Sequence, residues 1–209
     1  MKILNLYCGI GGNRKLWGDD HEITAVELDS NIARIYQNFF PNDIVVVTDA
    51  HQYLLDHYDE FDFIWASPPC PSHSRVRRGL GVLARKQNKA LYPDMRLYEE
   101  ILLLQGYFSG KFVVENVISW YQPLIHAIEL QRHYFWVNFP IRNITMDADS
   151  IEHGTVEFWE KQLGFDLSPY HGIEKRKVLR NCVRPELGLH ILNEALNKTE
   201  YIHEQAILF

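Results

Sequence analysis

The stretch Lys2-Ile3-Leu4-Asn5-Leu6-Tyr7-Cys8-Gly9-Ile10-Gly11-Gly12 predicts a short apolar strand that runs directly into a glycine-rich turn. Further apolar runs follow along the chain and alternate with segments whose apolar residues have helical spacing. These runs cover residues 23–28, 44–47, 61–66, 111–114 and 134–139. Alternation with short connections predicts an α/β fold with a mostly parallel sheet and helices on both faces.

Several local expectations follow from the same patterns. The run 44–47 is short and β-branched, so we expect a buried strand there. Residues 123–130 are interpreted as a helix. Residues 185–196 are interpreted as a closing helix, because their leucine and isoleucine side chains lie mostly on one side.

The composition limits the class of protein. The 209 residues are 46% hydrophobic and 23% charged, which is typical of a folded globular chain. The net charge of −6 excludes a uniformly basic coat for nucleic acid but is compatible with a local basic patch. No run of about 18 apolar residues occurs, so no membrane span is expected. The three cysteines are odd in number and have no framework spacing, which favours a reducing cytoplasm.

Polar or unusual residues stand at the ends of the predicted strands. They are Gly9, Glu27, Asp49, Cys70 and Glu115. Ligands of parallel α/β sheets bind at the carboxyl ends of the strands. We therefore expect these residues to share one site.

The glycine turn is a candidate cofactor loop, because glycines let the backbone approach a ligand closely. The dinucleotide fingerprint requires a third glycine at position 14, where this chain has Arg14, so a ligand without a pyrophosphate is favoured. Glu27 could accept hydrogen bonds from ribose hydroxyls, and Asp49 from an exocyclic amine. This combination suits S-adenosylmethionine. The alternatives are a purely structural turn and solvated strand ends.

Ser67-Pro68-Pro69-Cys70-Pro71-Ser72-His73-Ser74 surrounds one cysteine with three prolines at a strand end. A rigid, exposed thiol is what nucleophilic catalysis requires. A proline-rich turn with an incidental cysteine is the alternative. A zinc site is disfavoured, because Cys70 and His73 are only two ligands and no His-x-Glu precedes them.

Glu115 follows another predicted strand and could therefore face Cys70 across the sheet edge. A thiolate that adds to an electron-poor ring, together with an acid that hydrogen-bonds or protonates a ring nitrogen, is a chemically coherent pair. A helix-capping carboxylate is the alternative interpretation of Glu115.

These motifs, in this order and spacing, resemble those of the cytosine-C5 DNA methyltransferase family. The matching stretches are Asn5-Leu6-Tyr7-Cys8-Gly9-Ile10-Gly11-Gly12, Val26-Glu27-Leu28-Asp29, Thr48-Asp49-Ala50, Ser67-Pro68-Pro69-Cys70, Pro93-Asp94-Met95-Arg96-Leu97, Val113-Val114-Glu115-Asn116-Val117 and Arg180-Asn181-Cys182-Val183-Arg184-Pro185. They cover most of residues 2–139 and 178–196. The resemblance implies a Rossmann-like class I methyltransferase fold with a small C-terminal subregion.

The resemblance also implies a reaction and a set of roles. Cys70 would attack C6 of a flipped-out cytosine, Glu115 would bind N3 and N4, and C5 would take the methyl group of S-adenosylmethionine. No metal ion is implied. The implied cofactor residues are Tyr7 for adenine stacking, Glu27 for the ribose, Asp49 for the adenine amine, and Gly9, Gly11, Gly12, Leu28, Ala50, Pro69, Asn181 and Val183 for packing.

The chain departs from the family pattern at four places, two of which are His73, where an aromatic or aliphatic residue is more usual, and Arg180, where a glycine is usual. The family's paired-arginine block aligns with Gln131-Arg132-His133, so the contact to the cytosine O2 is assigned to His133 or Arg132. Residues 140–177 stand where the family has a much longer target-recognition domain. We therefore expect a catalytic domain over 1–139, a reduced recognition region over 140–177 and a returning segment over 178–209. Specificity would be short, relaxed or supplied by a partner chain.

Two basic clusters are candidates for nucleic-acid binding. The first lies between residues 75 and 89, where no acid occurs, and it follows directly after the candidate nucleophile. The second lies just before the C-terminal block. The predicted nucleic-acid-binding residues are Ser74, Arg75, Arg77, Arg78, Arg85, Lys86, Lys89, Lys175, Arg176 and Lys177.

Three alternatives accompany the DNA methyltransferase interpretation. The same chemistry could act on RNA such as tRNA, since RNA-acting relatives share these motifs. A non-catalytic subunit is disfavoured by the intact Cys70 and Glu115. A free-nucleotide substrate would explain the short recognition region but would leave both basic clusters without a role. A bacterial or phage origin and a cytoplasmic location are expected.

Overall fold

The computed structural model describes residues 1–75, 92–146 and 154–197. These residues contain one seven-stranded sheet, whose strands are β1 (Lys2–Leu6), β2 (Glu22–Glu27), β3 (Ile44–Val47), β4 (Phe63–Ala66), β5 (Lys111–Val117), β6 (Ile128–Leu130) and β7 (His133–Val137). Their order across the sheet is β3-β2-β1-β4-β5-β7-β6. The first five strands are parallel, whereas β7 and β6 form an antiparallel pair at one edge. The predicted mostly parallel α/β fold is confirmed.

Helices cover both faces of this sheet. The described residues form α1 (Ser30–Phe39), α2 (Ala50–His57), α3 (Arg96–Tyr107), α4 (Val156–Leu163), α5 (Lys175–Arg180) and α6 (Pro185–Ala195), with a short 3₁₀ turn at Tyr58–Glu60. Helices α2 and α3 pack on one face, and α1, α4, α5 and α6 on the other. In the part of the chain that the structure describes, no helix is long and apolar enough to cross a membrane.

The central strands are apolar on both sides because both of their faces are covered. In β1, Leu4 and Leu6 lie in the core beneath α2 and α3, whereas Ile3 lies in the core beneath α6. Four consecutive residues of β4 are buried as well. This burial holds the carboxyl ends of the parallel strands together at one edge of the sheet.

The prediction of a buried strand at 44–47 is wrong in its burial, although the strand exists. Ile44 and Val47 are about half exposed, at 53% and 52%. Strand β3 is the last strand on its side of the sheet and pairs only with β2. A β-branched run indicates a strand but does not distinguish an edge from a centre.

The helix predicted over residues 123–130 is also wrong: strand β6 occupies its end, and the residues before it are irregular. Their backbone groups bond to distant side chains instead of to a helical ladder. The Leu124 amide donates to the Tyr98 hydroxyl at 3.2 Å, and the Ile125 carbonyl accepts from the Trp136 indole at 2.9 Å.

Part of the region 140–177 packs on the catalytic core. Trp159, Leu163 and Phe165 are buried in the same cluster as residues of the glycine turn and of α1. The boundary predicted between 177 and 178 falls inside α5. The described residues 154–197 therefore complete one face of the sheet.

Candidate active site

A cavity of about 480 Å³ lies where the parallel strands end, a size typical of small-ligand sites. It brings together residues from the ends of β1 to β5 with residues of the C-terminal segment. The predicted site residues that line it are Tyr7, Gly9, Gly12, Glu27, Leu28, Asp49, Ala50, Pro69, Cys70, Glu115, His133, Lys177, Asn181 and Val183.

The three predicted glycines have different surroundings. Gly9 has a positive φ of 54°, and a Cβ there would meet nothing within 4 Å, so its backbone is open to the cavity. Gly11 does not line the cavity, because it packs against the Phe40 and Tyr36 rings. Gly12 lies against the C-terminal segment, where a Cβ would be 2.5 Å from the Val183 carbonyl oxygen. The turn therefore serves packing as well as access to a ligand.

The Tyr7 ring is fixed by two residues that sequence reasoning missed. The Tyr7 hydroxyl donates to the buried Glu100 carboxylate, which lies 93 residues away in the chain. The same carboxylate is 3.0 Å from Nδ1 of His51, and this hydrogen bond raises the pKa of His51. Burial, with a contribution from Glu100, raises the pKa of Tyr7. A partly buried tyrosine hydroxyl requires a polar partner, but the sequence does not show that this partner is Glu100; the fold does.

The two predicted cofactor carboxylates are oriented by backbone amides. Glu27 accepts from the Gly9 amide at 3.1 Å and from the Asp29 amide at 3.0 Å. Asp49 caps α2 by accepting from the Gln52 amide at 3.0 Å, and its other oxygen is 3.6 Å from the Arg96 guanidinium. Each carboxylate oxygen has further lone pairs that can accept from a ligand.

This half of the cavity fits S-adenosylmethionine. Leu28 is 69% exposed although it is apolar, and it lies between the two carboxylates in the chain, with Tyr7 and Ala50 in the same cavity wall. Apolar surface flanked by hydrogen-bond acceptors suits an adenosine. The residues that would hold the cofactor are therefore Tyr7, Leu28 and Ala50 by packing, and Glu27 and Asp49 by accepting hydrogen bonds.

The loop that carries Cys70 is a rigid mount. The Cys70 carbonyl accepts from the amides of His73 and Ser74, both at 3.0 Å. Asn116, at the end of β5, donates from Nδ2 to the Pro68 carbonyl at 2.9 Å. Asn116 therefore ties the proline loop directly to the strand that carries Glu115, a positioning role that its place in the motif did not reveal.

The segment after β5 holds the same loop from the other side. The Trp120 amide donates to the His73 carbonyl, and the Trp120 indole donates to the Ser72 carbonyl, each at 3.0 Å. Nδ1 of His73 is 2.5 Å from the Tyr121 hydroxyl. Burial lowers the pKa of His73, which favours its neutral form. His73 is thus a structural tie of the loop.

Burial and the neighbouring Glu115 raise the pKa of Cys70. At neutral pH the thiol is therefore protonated, and its proton must leave when the sulfur forms a bond. Glu115 is itself buried, and its Oε1 is 3.6 Å from Nε2 of His133. The cavity thus combines a nucleophile, an acid and an imidazole. His133 lines it, whereas Arg132 is exposed and does not.

The predicted nucleic-acid-binding residues are only partly described. Ser74 forms an isolated bridge with Ser119, and Arg75 donates from Nε to the Ser119 carbonyl at 3.2 Å. Lys175 and Arg176 lie on α5, and Lys177 lines the cavity together with Arg180, which belongs to the same basic cluster. Arg77, Arg78, Arg85, Lys86 and Lys89 lie outside the described residues. No group of three or more metal-ligating side chains occurs among the residues described.

Fold and site together define a methyltransferase. The methyltransferase EhMeth of Entamoeba histolytica matches with a TM-score of 0.55 at 11% identity, over 96% of this chain and 99% of that chain, and shares the fold. DNMT2 of Spodoptera frugiperda is 26% identical over 56% of this chain and 35% of that chain, with a TM-score of 0.38. The protein SMU.776, solved in complex with SAH, is 19% identical over 55% of this chain and 30% of that chain, with a TM-score of 0.36. No curated protein matches the chain.

Residues 1–119 match the family described as C-5 cytosine-specific DNA methylase. Because this match spans more than half of the chain, the protein belongs to that family. Membership implies S-adenosylmethionine as the methyl donor, in agreement with the fit of the cavity.

Proposed function

We propose that the protein is a DNA (cytosine-5)-methyltransferase that works through a covalent adduct of Cys70. One observation carries this proposal: Cys70 and Glu115 come from different strand ends and line one cavity with the residues that fit the cofactor. A scaffold or purely regulatory subunit would not require this pair.

The residues of the cavity account for each step of the reaction. The Cys70 sulfur forms a bond to C6 of the cytosine while its proton passes to solvent, and Glu115 hydrogen-bonds or protonates N3. When bound, S-adenosylmethionine supplies an electrophilic methyl group to the activated C5. The C5 proton then passes to solvent and the C6–sulfur bond breaks, which releases 5-methylcytosine. The sulfur regains a proton from solvent, and N3 returns to Glu115 any proton that it accepted. His133 is beside Glu115 and is the better placed of the two candidates for the cytosine O2.

The target base must leave a duplex to reach this cavity, at a cost of a few kcal/mol. Contacts to phosphates from the two basic clusters would offset that cost. The region 140–177 has only 38 residues, and its buried residues Trp159, Leu163, Phe165 and Leu167 are used for packing, which supports a specificity that is short, relaxed or supplied by a partner chain.

Tritiated S-adenosylmethionine offered with duplex DNA, single-stranded DNA, tRNA and dCMP in parallel tests the substrate. We expect label in DNA cytosine. Label confined to tRNA would change the substrate to RNA, and label confined to dCMP would exclude a polymer substrate.

The variant Cys70→Ala tests the chemistry. It should abolish transfer and leave cofactor affinity near that of the unaltered protein, because the fold of the loop rests on backbone hydrogen bonds. The unaltered protein should form a denaturation-resistant adduct with 5-fluorocytosine DNA, since fluorine does not leave as a proton does. Full turnover by Cys70→Ala would refute the covalent role.

A further inference from the structure

A second cavity of about 740 Å³ lies beside the active site. Its walls are mainly aromatic and polar, and the residues that matter are Arg75, Trp120, Tyr121, Gln122, His126 and Tyr134. None of its lining residues lines the cavity that contains Cys70. Apart from Arg75, which belongs to the first basic cluster, the reaction described above uses none of these side chains to bind substrate.

The two cavities are neighbours in the fold. Arg75 follows Cys70 by five residues, and Ser119 follows Glu115 by four, in segments that are bridged to each other. Tyr134 lies next to His133 on β7, and successive residues of a strand point to opposite faces. The same three segments, 70–75, 115–119 and 133–134, contribute residues to both cavities, which adjoin β7 from different faces. We therefore expect a nucleic-acid strand that delivers a cytosine to Cys70 to extend toward the second cavity.

The aromatic rings of this cavity are held in place before any ligand arrives. Trp120 is 38% exposed, yet its indole edge is bonded to the Ser72 carbonyl. The Tyr121 hydroxyl is bonded to both His73 and Tyr98, the latter at 3.1 Å. Trp120 and Tyr121 meet edge to face, with ring centroids 5.1 Å apart. Fixed rings lose little conformational entropy on binding.

We propose that this cavity binds a nucleobase adjacent to the target cytosine on the same strand, stacked on Trp120. Planar rings with a neighbouring guanidinium and amide are the features that bind unpaired bases of nucleic acids. Arg75 lies in the same wall and can contact the backbone phosphate of that nucleotide. This inference rests on the proposed function. It adds that a second base, adjacent to the target cytosine, is also unstacked in the bound substrate.

A double cycle between protein and oligonucleotide tests this proposal. Each single-stranded oligonucleotide has one target cytosine and one abasic site. The abasic site is placed, in separate oligonucleotides, at the first or second position on the 5′ or the 3′ side of that cytosine, which gives four positions. For the unaltered protein, one position should weaken binding by about 5- to 150-fold, the range of one stacked base. Trp120→Ala should bind the intact strand more weakly by the same factor. The abasic site at that position should then have no further effect on the affinity of the variant.

Two further variants separate stacking from folding. Trp120→Phe keeps an aromatic face and should keep the sensitivity to the abasic site. Leu124→Ala removes an exposed apolar side chain of the same segment that lies outside the cavity, and it should bind as the unaltered protein does. Cofactor affinity reports whether each variant retains the fold.

Fluorescence of 2-aminopurine in the oligonucleotide tests the proposal with the unaltered protein, without any variant. 2-Aminopurine placed at the sensitive position should be quenched on binding, because stacking on an indole quenches its fluorescence. No quenching at any of the four positions, or equal abasic sensitivity in Trp120→Ala, would overturn the proposal while methylation of DNA still stood. Absence of methyl transfer to every polymer would instead overturn the proposed function, whatever the stacking result.

Discussion

Glu115 affects the reaction of Cys70 in two opposing ways, one as the carboxylate and one as the protonated acid. Its negative charge disfavours the thiolate and contributes to the raised pKa of Cys70. The same carboxyl group is the acid that the addition of sulfur to the cytosine ring requires. A buried acid next to a nucleophile therefore lowers the intrinsic reactivity of the thiol and makes it conditional on a bound base.

Glu115→Gln should consequently move two measurements in opposite directions. Removing the charge should lower the pKa of Cys70, so the pH profile of its alkylation by iodoacetamide should shift to lower pH. Methyl transfer should slow by on the order of 10²-fold, because the amide cannot protonate N3. Mass spectrometry of the Cys70 peptide and tritium transfer provide the two measurements.

The matched control is Glu129→Gln, which removes an exposed carboxylate from β6 and should change neither measurement. An unchanged alkylation profile in Glu115→Gln would show that the carboxylate does not act on the thiol. An unchanged transfer rate would show that Glu115 is only structural.

At the scale of elements, the C-terminal segment depends on glycines for its contact with the cofactor turn. A Cβ on Gly12 would lie 2.6 Å from the Cβ of Cys182, and one on Gly188 would lie 2.3 Å from the Asn13 carbonyl oxygen. Glycines on both partners therefore allow the turn and α6 to approach closely. This approach places Asn181 and Val183 in the wall of the cavity.

Gly12→Ala should lower the free energy of unfolding by about 1–3 kcal/mol, the usual cost of overpacking. It should also weaken cofactor binding, because the backbone at Val183 must shift. Urea unfolding followed by circular dichroism and calorimetry with S-adenosylmethionine measure the two effects.

Gly106→Ala is the control, since Gly106 lies on α3 and a Cβ there would meet nothing within 4 Å. It should leave the cofactor affinity unchanged and raise the free energy of unfolding by up to about 1 kcal/mol. A Gly12→Ala protein as stable as the unaltered one would contradict the tight contact.

At the scale of the whole molecule, charge is distributed unevenly. The net charge is −6, yet the stretch 75–89 holds six basic residues and no acid, which leaves −12 on the rest of the chain. Helix α5 adds Lys175 and Arg176 near the rim of the cavity that Lys177 lines. Attraction for a polyanion is therefore expected to be local to this side of the molecule.

Replacing Lys175 and Arg176 together with glutamine should flatten the slope of log K against log salt for duplex DNA. Each phosphate contact contributes about −0.9, so the change should be up to about 2. The methylated sequence should stay the same, because phosphate contacts carry no sequence information. Fluorescence anisotropy over a salt series measures the slope, and bisulfite sequencing measures the sites.

Lys2→Gln is the matched control for this experiment. Lys2 is exposed at the amino end of β1, at the opposite edge of the sheet from the site, and its loss should not change the slope. An unchanged slope in the α5 variant would show that this cluster does not contact DNA.

Local sequence determined the elements and the chemistry at their ends. Apolar periodicity is a property of neighbouring residues, so it predicted β1, α3 and α6, and it placed Cys70 and Glu115 at strand ends of a parallel sheet. The family motifs added roles to these residues. Their assembly into one cavity followed from the general rule for such sheets.

Tertiary structure alone decided the partners of these residues. Tyr7 and Glu100 are 93 residues apart, Asn116 and Pro68 are 48 apart, and nothing local indicates either contact. The edge position of β3 and the irregular segment before β6 likewise depend on which distant groups satisfy the backbone. A sequence pattern within about ten residues indicates the propensity for a helix or a strand. Burial and the hydrogen-bond partners of the backbone depend instead on the packing of the whole chain.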